Sequence, residues 1–107
     1  MMMTRVRVAK VSEIPEGEGR GFEVDGRPIA VFNLGGGDFR ATDDVCSHAH
    51  ALLSEGEVDV EELTVECPRH GSTFELESGR PVSLPATTPV RVYPVTVDGD
   101  DVLIEVS

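Results

Sequence analysis

The sequence predicts an all-β domain, folded as a small antiparallel sandwich or barrel. Short segments in which apolar and polar residues alternate recur along the chain, as expected of strands with one buried face. Glycine and proline, 11 and 7 residues respectively, separate these segments at close intervals, and little of the chain shows the apolar spacing of a helix. At 107 residues, the chain is predicted to form one domain that spans residues 1–107.

The first half of the chain is predicted to form strands joined by tight turns. These strands span residues 5–8, 21–24, 28–33 and 39–42, and the turn signals lie at residues 12–17 and 35–38. Asp25-Gly26 is a strong signal for a two-residue hairpin turn, because both residues tolerate the positive φ angles that such a turn requires. The strand that follows this turn is rich in apolar residues, so we expect it to be buried.

The second half of the chain repeats the pattern and is expected to end in a hairpin. Its predicted strands span residues 62–66, 73–76, 90–93, 95–97 and 102–106, with turns at residues 54–57 and 77–80. The strand at 62–66 leads directly into Cys67. In the final hairpin, segments 90–93 and 95–97 are predicted to pair with segment 102–106 across a turn at residues 98–100.

The two cysteines of the chain each precede a histidine. Cys46 and His48 form a C-x-H pair, and Cys67 and His70 form a C-x-x-H pair eighteen residues later. Two thiolates and two imidazoles are a complete set of soft donors for a metal centre. The short spacing within each pair lets both of its side chains reach one point from a single turn of a loop. The four residues are therefore the candidate metal ligands.

Other interpretations of the two cysteines remain open from the residues alone. They could form a disulfide, or they could be buried thiols that act as small apolar side chains. Structural zinc would take the same four ligands. A zinc finger, however, usually groups its cysteines in one pair and its histidines in the other. Here each predicted loop carries one of each.

This mixed arrangement resembles the Rieske [2Fe–2S] family, in which two cysteines hold one iron and two histidines hold the other. The resemblance implies one [2Fe–2S] cluster per chain. It implies that Cys46 and Cys67 bind the inner iron and that His48 and His70 bind the outer iron, near the surface. It also implies a Rieske-type antiparallel β sandwich or barrel into which a cluster-binding subdomain is inserted.

The resemblance extends beyond the four candidate ligands. The cluster-binding loops are expected at about residues 44–54 and 67–72, and the second of them contains His70-Gly71-Ser72. Residues 83–86 are similar to the third, cluster-covering loop of the family. His50 lies outside the ligand pattern and is expected to be a free surface histidine.

Three positions distinguish this chain from other Rieske proteins. Respiratory and photosynthetic members carry an additional cysteine in each loop, and these form a disulfide; Ala51 and Arg69 occupy those positions here. The chain therefore resembles the soluble, oxygenase-type ferredoxins of the family. Ser72 matches a serine that donates a hydrogen bond to cluster sulfur in high-potential members, whereas Phe74 stands in place of their tyrosine. We expect a reduction potential in the lower part of the Rieske range.

The chain is strongly acidic. Nine basic and twenty acidic residues give a formal net charge of −11, which disfavours binding to nucleic acid phosphates. A surface of this charge is either a solubility device or a means of steering encounters with basic partners. The predicted loops are flanked by acidic residues that form a candidate docking rim or are simply solvated: Asp43, Asp44, Glu55 and Glu57.

The sequence offers no second metal site, nucleotide-binding loop or nucleophile–base arrangement. The resemblance implies a one-electron carrier, itself not an enzyme, that shuttles electrons from an NAD(P)H-dependent flavin reductase to a Rieske non-haem iron oxygenase through transient contacts. An accessory role in iron–sulfur cluster assembly or redox sensing is the alternative, followed by a structural zinc module.

No apolar run is long enough to cross a membrane, the first residues do not resemble a secretory signal, and two cysteines leave none spare for a disulfide. We therefore expect a cytoplasmic protein.

Overall fold

The fold is given by a computed structural model that describes residues 4–46, 51–69, 71–83, 86 and 88–106. These residues form ten strands and two short 3₁₀ helices. In chain order the strands are β1 (Thr4–Lys10), β2 (Gly19–Val24), β3 (Arg27–Asn33), β4 (Phe39–Asp43), β5 (Glu57–Asp59), β6 (Thr64–Glu66), β7 (Thr73–Glu75), β8 (Val92–Tyr93), β9 (Val95–Asp98) and β10 (Asp101–Val106). The 3₁₀ helices are η1 (Val11–Glu13) and η2 (Leu53–Glu55).

The strands form three antiparallel sheets, in the orders β1-β10-β9, β2-β3-β4-β8 and β5-β6-β7. The predicted all-β antiparallel fold is therefore confirmed. Strands β4 and β8 are hydrogen-bonded neighbours, although almost fifty residues separate them in sequence. The intervening chain contains both cysteines and the small β5-β6-β7 sheet. This connectivity inserts the cysteine-bearing part of the chain into a scaffold formed by the other two sheets, as the resemblance implied.

Strand β3 connects the two apolar cores of the molecule. Successive side chains of a strand point to opposite faces, and β3 is buried on both of them. Ala30 and Phe32 pack into the core that contains the two cysteines. Ile29 and Val31 pack into the core beneath the β1-β10-β9 sheet. The predicted buried strand is thus confirmed, and it fixes the cysteine-bearing insert to the scaffold.

The β2–β3 hairpin turns at the predicted dipeptide. Asp25 and Gly26 have φ angles of 51° and 78°, and the flanking residues Val24 and Arg27 pair directly. Two consecutive positive φ angles match the right-handed twist of the strands that the turn joins. The hairpin prediction is confirmed.

The predicted pairing of segment 90–93 is wrong. β9 and β10 do form the expected hairpin, but β8 pairs with β4 and not with β10. The second edge of β10 is occupied by β1, so no edge remains for β8. Pro94 separates β8 from β9, and its ring nitrogen has no hydrogen to donate to a sheet ladder.

Strand β6 is shorter than predicted, and its partner β5 was not predicted at all. The backbone at Leu63 has a φ of 58°, which is incompatible with a strand, so β6 begins at Thr64. The carboxylate of Asp59 accepts hydrogen bonds from the backbone N–H groups of Glu61 and Glu62, both at 3.0 Å. An aspartate that bonds to the backbone two residues ahead stabilises a turn, and here it closes the β5–β6 hairpin.

No helix in the described part of the chain is long and apolar enough to cross a bilayer.

Candidate metal centre

The first cysteine lies at the neck of a short loop. The backbone N–H of Cys46 donates to the carbonyl of Ala51 at 2.9 Å, and Val45 pairs with Leu52 in an isolated antiparallel bridge. The chain therefore leaves at Cys46 and returns at Ala51 in the same place. His48 and His50 fall between these two residues in sequence and lie outside the described residues.

The second cysteine begins a tight turn directly after β6. The N–H of Cys67 donates to the carbonyl of Ser72 at 2.6 Å, and the N–H of Gly71 donates to the carbonyl of Cys67 at 3.0 Å. Gly71 has a φ of 74°, a conformation that glycine adopts without the steric cost of a Cβ atom. His70 precedes Gly71 in sequence and lies outside the described residues.

Neither cysteine is part of a disulfide, and both lie in one core. Their relative exposures are 4% for Cys46 and 0% for Cys67, and both pack in the core that contains Phe74 and Ala86. The disulfide interpretation is therefore wrong. A buried, reduced pair of thiols contributed by two loops fits a soft metal ion or an iron–sulfur cluster. Because both candidate histidines lie outside the described residues, the part of the chain that the structure describes contains no group of three or more potential metal ligands.

A third segment is fastened to the second loop. The N–H of Ala86 donates to the hydroxyl oxygen of Ser72 at 3.1 Å, and the N–H of Thr73 donates to the hydroxyl oxygen of Ser83 at 2.9 Å. The described ends of the predicted covering loop, Ser83 and Ala86, are thus both tied to residues that follow Cys67. Its central residues, Leu84 and Pro85, lie outside the described part of the chain.

Ser72 and Phe74 differ in what they can offer a bound group. Ser72 is fully buried, and its hydroxyl oxygen accepts a hydrogen bond from Ala86. Its own hydroxyl hydrogen takes no part in that bond and is available to another acceptor. Phe74 is also fully buried and packs in the same core as the cysteines. It fills space but has no polar atom to donate.

The surface beside the two loops is partly apolar. Val45 and Leu52 are each 39% exposed, although they flank the neck of the first loop. Beside them lies a shallow hollow of about 480 Å³ that is lined by residues from both loops: Ala51, Leu52, Glu55, Pro68 and Arg69. Ala51 is buried and Arg69 is exposed, and both positions carry cysteines in disulfide-containing members of the family that the sequence resembles.

The predicted acidic rim is wrong for two of its four residues. Asp44 is buried, with a relative exposure of 4%, and it accepts hydrogen bonds from Ser54. Asp43 accepts a hydrogen bond from the hydroxyl of Tyr93 at 2.6 Å. Both carboxylates satisfy donors at the base of the first loop and are therefore not free to form a rim. Glu55 and Glu57 are exposed, as expected.

Tyr93 was not identified from the sequence, yet it fixes the strand that leads into the first loop. It is buried on β8, beneath the guanidinium of Arg91, which lies 5.2 Å from the ring centre. Burial, the hydrogen bond to Asp43 and the negative charge of that carboxylate raise the pKa of Tyr93 above its ordinary value, although Arg27 and Arg91 oppose the shift. The hydroxyl therefore remains a donor to Asp43 at neutral pH.

Comparison with known proteins agrees with this geometry. Residues 4–94 match the family described as the Rieske [2Fe-2S] domain. The 3-phenylpropionate/cinnamic acid dioxygenase ferredoxin subunit of Escherichia coli (strain K12) is 44% identical over 104 residues, which cover 96% of this chain and 94% of that protein. The same subunit of Shigella boydii serotype 4 (strain Sb227) has the same identity and coverage.

Two solved structures have the same fold. The ferredoxin of carbazole 1,9a-dioxygenase from Nocardioides aromaticivorans IC177 superposes with a TM-score of 0.89 at 40% identity, covering 94% of this chain and 96% of that one. A chain from the complex of reduced oxygenase and oxidized ferredoxin in carbazole 1,9a-dioxygenase gives a TM-score of 0.84 at 37% identity, covering 94% and 91%. The matched domain binds a [2Fe–2S] cluster, so the predicted cofactor is confirmed. The match does not support the interpretation of the four residues as a structural zinc site.

The raised pKa of Tyr93 predicts a loss of stability in alkali. As pH rises through about 10, the unfolded chain releases the tyrosine proton before the folded chain does. The stabilisation that Tyr93 provides is therefore complete below about pH 10 and is lost as pH rises through the pKa of the folded state. Urea unfolding at pH values on both sides of about 10 measures this slope.

Tyr93→Phe is the informative variant, because Tyr93 is the single tyrosine of the chain. We expect it to lower the free energy of unfolding at neutral pH by about 1–2 kcal/mol, since Asp43 loses a hydrogen bond to its charged oxygen. We also expect its stability to decline less steeply in alkali than that of the wild type. Equal slopes for the two proteins would show that Tyr93 does not carry this effect.

Proposed function

Because this chain belongs to the Rieske [2Fe–2S] family and is an electron-carrying ferredoxin of the dioxygenase type, we propose that it takes single electrons from an NAD(P)H-dependent flavin reductase and delivers them to a Rieske non-haem iron oxygenase. It is a component of such a system and not its catalytic enzyme. The observation that carries the proposal is the pair of buried cysteines, not joined in a disulfide, on two adjacent loops of a ferredoxin fold. A cytoplasmic location is part of the proposal, since these thiols must remain reduced before the cluster is inserted.

We propose Cys46, His48, Cys67 and His70 as the ligands of the cluster. The two thiolates would hold one iron and the two imidazole nitrogens the other, and the bound cluster supplies a site that accepts and releases one electron. The spacing of the four residues and the burial of both thiols support this assignment. The chain's own contribution is to hold the two loops by the Cys46–Ala51 and Cys67–Ser72 backbone hydrogen bonds.

Two features of the surface support an encounter with a basic protein partner. The net charge of −11 favours association with a positively charged surface at low salt. Next to the loops, Leu52 and Pro68 supply exposed apolar area and Glu55 supplies charge around one hollow. A transient redox complex needs a small contact area of this mixed kind. A relative that is 37% identical is known in a complex with its oxygenase, and this supports an oxygenase as the electron acceptor here.

Turnover in a reconstituted system tests the proposed function. The purified ferredoxin is mixed with a flavin reductase, NADH and the oxygenase of a 3-phenylpropionate-type dioxygenase system, and product formation is followed. We expect turnover that depends on the ferredoxin and falls as salt rises, because screening weakens attraction between charged proteins. A ferredoxin that is reduced but supports no turnover, and that instead transfers its cluster rapidly to an apo-protein, would favour the accessory role.

The ligand assignment predicts opposite outcomes for two neighbouring histidines. His48→Ala removes a proposed ligand, so we expect loss of the visible absorption of the cluster. His50→Ala is the matched control, since it removes an imidazole two residues away in the same loop, and we expect it to keep the spectrum. Absorption spectra and iron content of the purified variants provide the measurement. A normal spectrum for His48→Ala, or a lost one for His50→Ala, would contradict the assignment.

The hydroxyl of Ser72 predicts a change in reduction potential. A hydrogen bond donated to cluster sulfur stabilises the more negative, reduced state, so Ser72→Ala is expected to lower the potential. Ser78→Ala is the control, because it removes an exposed hydroxyl in the turn after β7. Redox titration followed by absorption compares the two variants with the wild type. Equal potentials for Ser72→Ala and the wild type would mean that this hydroxyl does not reach the cluster.

A further inference from the structure

A buried carboxylate lies at the base of the first loop. One oxygen of Asp44, Oδ1, accepts a hydrogen bond from the backbone N–H of Ser54 at 2.8 Å, and the other, Oδ2, accepts one from the Ser54 hydroxyl at 3.0 Å. The backbone of Asp44 is held as well: its N–H donates to the carbonyl of Pro28 at 3.0 Å, and its carbonyl accepts from Leu53 at 2.6 Å. Neither the fold class nor the proposed ligand set requires a buried charge here.

The neighbouring strand leaves room for this carboxylate only because it has a glycine there. A Cβ atom added to Gly21 on β2 would lie 2.5 Å from Oδ2 of Asp44 and 3.1 Å from the hydroxyl oxygen of Ser54. Glycine in a strand weakens that strand and often marks a close approach of another group. Gly21, Asp44 and Ser54 thus form one contact unit, which we call the clasp.

The clasp closes the neck of the loop that carries two proposed ligands. Three successive pairings hold this neck: Cys46 with Ala51, Val45 with Leu52, and Asp44 with Leu53. The hydrogen bonds that Ser54 donates to the Asp44 carboxylate reinforce the last of these pairings, between Asp44 and Leu53. Bonds to a buried charged group are stronger than those between neutral groups. The two bonds between Asp44 and Ser54 therefore hold the entering and the returning segments of the loop together.

The carboxylate is also close to a proposed cluster ligand. Two residues span at most about 7 Å of chain, so the Cα atoms of Asp44 and Cys46 lie within that distance. Asp44 and Cys46 are both buried, whereas Val45 between them is exposed. This alternation directs the carboxylate and the thiol to the same, inner side of the segment. A charge in the interior is screened much less than one at the surface.

From these contacts we propose that Asp44 is a positioning residue with two separable effects. Through the clasp it holds the first loop closed, which slows loss of the cluster. Through its fixed negative charge it raises the energy of the reduced, more negative cluster, which lowers the reduction potential. This proposal rests on the proposed ligand set, since the charge acts on a cluster held by Cys46.

Isosteric substitution separates the two effects. In Asp44→Asn the side-chain oxygen still accepts from the Ser54 amide, and the new NH₂ group donates to the Ser54 hydroxyl oxygen, so the clasp remains but its charge is lost. We expect the potential to rise and the cluster to be retained as in the wild type. The control is Asp98→Asn, which removes the same charge at the exposed β9–β10 turn, and we expect a smaller shift.

Ser54→Ala tests the other effect and keeps the proposal testable if Asp44→Asn fails to load its cluster. Ser54→Ala removes the hydroxyl that donates to Asp44 but leaves the carboxylate charge. Because that charge is then less compensated, we expect the reduction potential to fall, opposite to the rise expected for Asp44→Asn. Because a hydrogen bond to a buried charge is equivalent to about tenfold in an equilibrium constant, we expect cluster loss to a chelator to be about tenfold faster. The matched control is Ser78→Ala, which removes an exposed serine–carboxylate bond to Glu75.

The experiment therefore consists of redox titrations and chelator-challenge rates on the cluster-loaded proteins. A potential for Asp44→Asn that rises no more than that of Asp98→Asn would overturn the charge effect. A rate for Ser54→Ala equal to that of Ser78→Ala would overturn the holding effect. Failure of the proposed function is distinguishable, because absence of turnover with the oxygenase would leave these titrations and chelator-challenge rates unchanged.

Discussion

The structure depends on keeping two reduced thiols buried in one core while they remain on separate loops. A cysteine thiol is readily buried as a small apolar group, so both loops can be anchored in the core by the two cysteines that we propose as ligands. Cys46 and Cys67 pack with Phe74 and with the loop residue Ala86. The backbone bonds at each loop neck then fix where the following residues emerge. The histidines of the motif follow each cysteine within three residues of sequence.

The scaffold supplies the rigidity that such a site needs. Strand β3 sends alternate side chains into both cores, and the pairing of β4 with β8 closes the scaffold around the inserted segment. Asp43, at the end of β4, is held by Tyr93 of β8, and Asp44 immediately begins the loop. The exit point of the first loop is thus fixed from two strands. For an electron carrier this matters, because a centre that moves little between its two redox states loses little energy to rearrangement.

Much of this arrangement could be predicted from local sequence signals. The alternating segments predicted most of the strands, and Asp25-Gly26 predicted its hairpin because the two φ angles depend only on those residues. The proposed ligand pattern is also local, since each cysteine stands within three residues of a histidine, and it stays a prediction. The position of β8 was not predictable in this way. Its pairing with β4 joins residues almost fifty positions apart. The edge of β10 to which β8 was predicted to pair is occupied by β1, which comes from the other end of the chain.

The hydrogen bonding of the acidic residues was also beyond local signals. Asp43-Asp44 has the composition of a solvated turn, but Asp44 is buried, and the donors to these two carboxylates include Ser54 and Tyr93. Gly21 did carry a usable signal, because an isolated glycine inside an alternating strand indicates a close approach. It could not indicate which group approaches. That information resides in the tertiary fold, which brings β2 against the neck of the loop.

The most direct test of the account is a pulsed electron paramagnetic resonance measurement of the reduced protein that detects nitrogen coupled to the unpaired electron. If histidines hold one iron and cysteines the other, the spectrum contains couplings from histidine ring nitrogens, and these disappear together with the signal when His48 or His70 is replaced. A reduced iron–sulfur signal without coupling to ring nitrogen would contradict the account, whatever the fold around it.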